Sequence, residues 1–149
     1  MNGNFTVRFA ESGDKDLILS LIRELAEYEK LSHEVRVTAG LLEKNLFTER
    51  RSAEVVLACE NGQPVGFAVF FHNFSTFEGK PGLFLEDLFI RPAYRGRGYG
   101  KALMLFLARL AVERDCARLE WSVLDWNKPA LDFYRSLGAV PMDEWTVQR

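Results

Sequence analysis

Arg95-Gly96-Arg97-Gly98-Tyr99-Gly100-Lys101 decides how this chain is read, because of what stands on either side of it. Before it runs Leu83 to Ile90, an apolar stretch that predicts a buried strand. After it runs Ala102 to Arg114, in which Leu103, Phe106, Leu107, Leu110 and Ala111 recur at helical spacing. A strand, a glycine-punctuated turn and a helix start together form an anion cradle. Backbone N–H groups in a helix's first turn lack partners inside the helix, and the helix dipole favours negative charge there. The stretch therefore predicts a site for a phosphate-bearing cofactor.

Glycine spacing narrows the cofactor. A Walker loop needs Gly-x4-Gly-Lys-Ser/Thr, but three residues separate Gly96 from Gly100, and Ala102 follows Lys101, so no hydroxyl is offered to magnesium. A dinucleotide fingerprint needs Gly-x-Gly-x-x-Gly, whereas these glycines alternate. ATP, GTP and NAD are all disfavoured. What remains is Arg-x-x-Gly-x-Gly, formed by Arg95, Gly98 and Gly100, with Arg91, Arg97 and Lys101 adding local positive charge to a chain of formal charge −2.

Upstream of the loop, Phe5 to Phe9 alternates like a half-buried strand. Asp14 or Asp16 can cap a helix carrying Leu17, Leu21, Leu25 and Tyr28, and Thr38 a shorter one carrying Leu41, Leu42, Leu46 and Phe47. Ala53 to Glu60 and Pro64 to Phe74 read as strands joined by Asn61-Gly62, a strong hairpin signal, and Glu78 to Gly82 turns the chain into the strand Leu83 to Ile90. Downstream, Leu119 to Leu124 reads as a strand, parallel to Leu83 to Ile90 because a whole helix lies between them. Asn127 caps a last helix with Pro129 in its first turn and Gly138 at its end. Ala139 to Met142 and Trp145 to Gln148 read as a closing pair of strands. The expected product is one α/β domain over residues 1–149 with a mixed sheet in the order β-αα-βββ-α-β-α-ββ.

Composition limits the partners. The 149 residues suit one domain with a core that needs no staples, and 48% hydrophobic with 27% charged residues is ordinary for a globular protein. No extended basic face is signalled, so nucleic acid is not an expected partner. No apolar run approaches the length of a membrane span and the first ten residues lack a signal-peptide pattern, so the expected location is cytoplasmic, with no membrane partner. Cys59 and Cys116 form neither a disulfide framework nor a metal-ligand spacing, and His33 and His72 stand far apart, so no metal is expected. Neither cysteine has a histidine nearby in the chain to make it a nucleophile.

Arg95-x-x-Gly98-x-Gly100 at a helix start is similar to the acetyl-CoA pyrophosphate loop of the GNAT superfamily of N-acetyltransferases. The resemblance extends along nearly the whole chain. Leu25-Ala26-Glu27-Tyr28-Glu29, Leu85-Glu86-Asp87-Leu88-Phe89, Tyr94-Arg95-Gly96, Trp126-Asn127 and Phe133-Tyr134 stand in the order seen in spermidine/spermine (diamine) N-acetyltransferases. It implies a GNAT-like fold with a splay between the two central parallel strands, acetyl-CoA as cosubstrate, a small amine as acceptor and a homodimer.

Three physical demands then assign roles. The donor must be held in register. Backbone amides of Gly96, Arg97, Gly98, Tyr99, Gly100 and Lys101 can take a pyrophosphate, and the resemblance adds Arg95, Asn127 and the strand residues Leu88, Phe89 and Ile90, the last three for the pantetheine and an oxyanion. The amine must lose a proton, since a primary amine is only about 0.1% neutral near pH 7.4. Glu86 is the expected base, and Glu86 and Asp87 face opposite ways unless a bulge intervenes. The departing thiolate needs a proton, and the resemblance implies Tyr134 as its donor. For the acceptor it implies Tyr28, Glu29, Glu86, Glu144 and Trp145, acids and aromatic faces suited to an ammonium. Ser75 stands where the polyamine enzymes carry an acid, and Glu144 abuts Trp145 without their spacer. These departures widen the expected acceptor from a di- or polyamine to a lysine analogue, an aminoglycoside or a peptide amine. The alternative is an acyl-CoA-binding domain without catalysis.

Overall fold

In the computed structural model, which describes residues 4–149, a short 3-10 turn over Pro92–Tyr94 leads from the sheet to the glycine loop. Five strands, β1 (Phe5–Phe9), β2 (Glu54–Glu60), β3 (Gln63–Ser75), β4 (Lys80–Ile90) and β5 (Leu119–Trp121), lie side by side in chain order. The first four pair antiparallel and β5 pairs parallel to β4. The β2–β3 turn is Asn61-Gly62, with φ of 52° and 80°, the two left-handed residues that a tight hairpin requires. Asn61 also exchanges hydrogen bonds with the backbone of Asn4, tying the start of β1 to this turn.

Helices cover both faces: the crossover helix between the parallel strands β4 and β5 lies on one, and the two helices between β1 and β2 on the other. On one face lie α1 (Lys15–Tyr28) and α2 (Ala39–Leu46); Ile18, Leu21 and Leu25 pack with Leu42, Leu46, Leu57, Phe67 and Phe89. Thr38 caps α2 by accepting from the Leu41 N–H at 3.2 Å. On the other face lies α3 (Tyr99–Glu113), whose Leu103, Leu107 and Leu110 pack on Val56, Ala68, Phe70, Leu83 and Leu85. Burying each such side chain stabilises the fold by roughly 1.5–3 kcal/mol. The last helix, α4 (Lys128–Ser136), leans on the same face through Phe133 and Tyr134, and Asn127 caps it by accepting from the Ala130 N–H at 3.3 Å.

Beyond shifts of one residue, the structure departs from the sequence reading in four places. β4 begins at Lys80, because Ser75 accepts from the Glu78 N–H and from the Gly79 N–H to close a tighter turn. α3 begins at Tyr99, which makes Gly98 its N-cap. β5 ends at Trp121, three residues short of the expected Leu124. The closing strands over Ala139 to Met142 and Trp145 to Gln148 are not formed, and Val140, Met142, Trp145 and Val147 are exposed. An alternating pattern makes a strand only where a partner takes its backbone groups, and no described strand lies alongside this segment. Among the described residues no helix is long and apolar enough to cross a membrane.

Candidate active site

The short β5 opens the site. Its pairing with β4 runs from Leu83↔Leu119 to Leu85↔Trp121 and stops, while β4 continues to Ile90 beside β3. Past Leu85 the parallel strands part, and Leu88, Phe89 and Ile90 on one side and residues 122–124 on the other line a cavity of about 450 Å³. The Arg91 N–H donates to Val65 on β3. By alternation the backbone groups of Ile90 and Leu88 point into the splay, and those of Phe89 towards β3. Agreeing with this, the Phe89 carbonyl sits so near Gly66 that a Cβ there would come within 2.4 Å of it. Leu88 and Ile90 thus offer backbone groups to a ligand, whereas Phe89 offers a buried ring.

The loop closes one end of this cavity. Gly96 and Gly98 have φ of 77° and 82°, a region that glycine enters without strain, and a Cβ at either would meet nothing within 4 Å. Their left-handed turns bring the chain into α3, and Gly96, Gly98, Tyr99, Gly100 and Lys101 line the cavity. Gly100 lies against Phe133 and Leu88, where a Cβ would stand 3.7 and 3.9 Å from side-chain atoms, so α3, α4 and β4 draw close at the cavity end. The donors and shape of Gly96 to Lys101 fit a pyrophosphate. Two arginines of the loop do other work. Arg95 donates from Nε to the Ile90 carbonyl at 2.8 Å, and its guanidinium lies over the rings of Tyr28 (4.9 Å) and Phe89 (5.3 Å). Arg97 pairs with Glu60 and lies over the Tyr94 ring.

At the other end stand the acids. β3 and β4 change register between Val69↔Asp87 and Phe70↔Leu85, leaving Glu86 as the extra residue of a β-bulge. This supplies the bulge that the alternation rule called for, and both Glu86 and Asp87 line the cavity. Their environments differ. Glu86 is exposed, whereas burial pushes the Asp87 carboxyl up to about 7, with the charges of Glu86 and Glu29 adding to the effect. Glu29, the C-cap just past the end of α1, is itself raised by burial. Across the splay Tyr134 packs its ring on Trp121 at 5.0 Å and Phe133 at 5.2 Å. Burial lifts its phenol to about 12, and the charges of Glu29 and Asp87 add to this. A phenol so placed keeps its proton at neutral pH, while a carboxyl near 7 can take one up.

Most residues expected at the site converge on it: Tyr28, Glu29, Glu86, Leu88, Phe89, Ile90, Arg95, Gly96, Gly98, Tyr99, Gly100, Lys101, Asn127 and Tyr134 all line the cavity. The Tyr28 hydroxyl donates to Asn127 Oδ1 at 3.2 Å, joining α1 to the cap of α4 across the mouth. Arg97, Glu144 and Trp145 do not line it: Arg97 is turned to Glu60, and the other two lie on the exposed tail, where Trp145 is 77% exposed. Ser75 is buried in the β3–β4 turn and does not reach the cavity. The residue missed from sequence is Asp87. Adjacent acids on an otherwise apolar strand were the signal available, and only the bulge shows that both reach one cleft.

Comparison with known proteins agrees with this geometry. The acetyltransferase (GNAT) family pattern matches residues 18–139. The chain is 38% identical over 146 residues to a thialysine N-epsilon-acetyltransferase of Bos taurus, an alignment covering 93% of this chain and 85% of that one. An L-ornithine N5-acetyltransferase of Arabidopsis thaliana is 43% identical over 84 residues, covering 56% of this chain and 37% of that one. Among solved structures, an integron cassette protein from the mobile metagenome of V. cholerae superposes with a TM-score of 0.81 at 26% identity, over 97% of this chain and 91% of that one. A splayed parallel strand pair, a glycine loop opening a helix and a sequence match over most of the chain lead to one conclusion: the protein belongs to the acetyltransferase (GNAT) family, enzymes that pass an acetyl group from acetyl-CoA to an amine.

Proposed function

We propose that this protein acetylates the distal primary amine of a small amino acid of the lysine-analogue type. The observation that carries the reading is the bulged Glu86-Asp87 pair facing Tyr134 across the splay. Acetyl-CoA supplies an activated acyl group whose departure leaves a thiolate. The loop from Gly96 to Lys101 holds its pyrophosphate, and the backbones of Leu88 and Ile90 hold the pantetheine and donate to the carbonyl oxygen. Asn127 orients the donor and, through Tyr28, links its position to the acceptor mouth.

The acceptor enters as an ammonium drawn by Glu29, Glu86 and Asp87, beside Tyr28 at the mouth. Glu86 and Asp87 then take its proton, Glu86 through solvent at the open side and Asp87 from inside. Asp87, raised to about 7, is matched to work near neutral pH. The neutral amine would attack the thioester carbonyl carbon and form the C–N bond; as the C–S bond breaks, Tyr134 would give its phenolic proton to the sulfur, and the proton shed by the new amide nitrogen would return to Tyr134 through the acids or solvent. The similarity to enzymes named for thialysine and ornithine supports an amino acid with a distal amine. A homodimer, expected from the resemblance, is proposed with it.

The test is free-thiol release from acetyl-CoA with five acceptors: thialysine, ornithine, the two corresponding diamines lacking a carboxylate, and an aminoglycoside. The expected result is fastest release with the amino acids. Faster release with the diamines returns the polyamine reading. Coenzyme A binding without thiol release from any of them favours a non-catalytic acyl-CoA-binding domain.

A further inference from the structure

The glycine loop has little packing of its own. Gly96 and Gly98 meet nothing where a side chain would begin, and ordering a free backbone costs about 1–2 kcal/mol per residue. A loop that froze only on meeting its ligand would lose that much affinity. Two anchors hold it. On the inner side Arg95 donates to the Ile90 carbonyl. On the outer side one carboxylate oxygen, Glu60 Oε1, accepts from the Tyr99 hydroxyl at 2.5 Å and from the Arg97 guanidinium.

Tyr99 is 2% exposed, so its hydroxyl requires this partner, and its ring stacks on Phe5 at 4.3 Å. It is also the first residue of α3, beside the N–H groups that meet the phosphate. Glu60 ends β2, next to the Asn61-Gly62 turn, and so stands on a hairpin fixed by its own ladder. The guanidinium of Arg97, the loop's central basic residue, is therefore committed to a protein carboxylate. The chain places an acid beside a phosphate site, which raw charge complementarity would oppose, and both groups that hold this acid belong to the loop.

We propose that Glu60 is a positioning residue for acetyl-CoA: from the hairpin it grips Arg97 and Tyr99 and sets the pyrophosphate loop in its binding shape before the cofactor arrives. Arg97 serves as an anchor rather than a phosphate ligand. The proposal rests on the assignment of Gly96 to Lys101 to the cofactor's pyrophosphate.

Coenzyme A affinity by titration calorimetry, which needs no acceptor, tests it in the whole chain. Glu60→Ala is expected to weaken binding roughly tenfold, the loss of charge-assisted bonds to two loop residues. In turnover, KM for acetyl-CoA rises with kcat within about threefold. Glu60→Gln, whose amide oxygen still accepts from Tyr99, recovers part of the loss and covers the case in which the alanine variant folds poorly. Glu60→Ala combined with Arg97→Ala binds no worse than about twofold below Glu60→Ala alone, because the two act as one unit. Glu54 makes a like ion pair with Arg114 at the opposite end of β2, and Glu54→Ala is expected to lower melting temperature while leaving coenzyme A affinity within about twofold. Unchanged or tighter binding by Glu60→Ala, the outcome if Arg97 were freed to meet phosphate, overturns the proposal alone. A wild-type chain that binds no coenzyme A overturns the cofactor assignment and this proposal with it.

Discussion

The two ends of the cleft are built from different materials. The end proposed for the donor is backbone: groups of Leu88 and the N–H of Ile90 that face the splay, and a loop set by positive-φ glycines at 96 and 98. The end proposed for the acceptor is side chains: Glu29, Glu86 and Asp87 among Tyr28 and Tyr134. Backbone recognises what every acyl-CoA has in common, and tolerates any side chain that keeps the path of the chain. Side chains recognise one acceptor, and each can change without moving the sheet. The donor is accordingly settled by family, and the acceptor is the chain's own matter.

Substitutions at the two ends should fail in different ways. Tyr134→Phe is expected to lower kcat by about 100-fold or more, the usual scale for losing a positioned acid, while coenzyme A affinity stays within about twofold. Loss of both together would place Tyr134 in binding rather than proton transfer. Asp87→Asn is expected to lower kcat/KM by roughly 10- to 100-fold and to remove the rise in activity through pH 7. Survival of that rise in the variant would assign the titration to another group.

The same substitution has a consequence for stability. Folding raises the Asp87 carboxyl from 3.8 to about 7, so between those values the folded state binds more protons than the unfolded chain. Stability therefore falls as pH rises through that window, by a few kcal/mol at most. The melting temperature of wild type should drop between pH 5 and 8 more steeply than that of Asp87→Asn. Equal slopes would deny that Asp87 titrates near 7. The smallest effect belongs to the donor end. Gly98→Ala, with a φ of 82° and open space for the methyl, carries only the backbone cost of about 1–2 kcal/mol. Part of this appears as coenzyme A affinity lowered roughly fivefold, with kcat for bound substrate little changed. A collapse of kcat in this variant would erase the distinction between the two ends.

How far the site was legible follows the same division. The loop, the Asn61-Gly62 turn and the Thr38 and Asn127 caps are local, set by residues within a few positions of one another, and they stand where the sequence puts them. The bulge at Glu86 is not local, because it arises from the register of β4 against β3. The shift to Asp87 therefore escaped notice, as did the early end of β5. The strand pattern at Leu119 to Leu124 is real, but it says nothing of where β5 leaves β4, since that depends on α3 and α4 packing beneath. The tail failed for the reverse reason: Ala139 to Gln148 has the alternation of strands and no described neighbour to pair with.

By itself the sequence determined the elements from the first strand to the last helix and the glycine turn that opens α3, because hairpin turns, helix caps and glycine spacing act over a few bonds, while the cofactor class came from likeness to a family. Only the tertiary structure decided that Glu86 and Asp87 share a cleft, that burial drives their environments apart, and that Arg97 is held by Glu60. These depend on which strands lie together and how much water they exclude, quantities that no short stretch of chain contains.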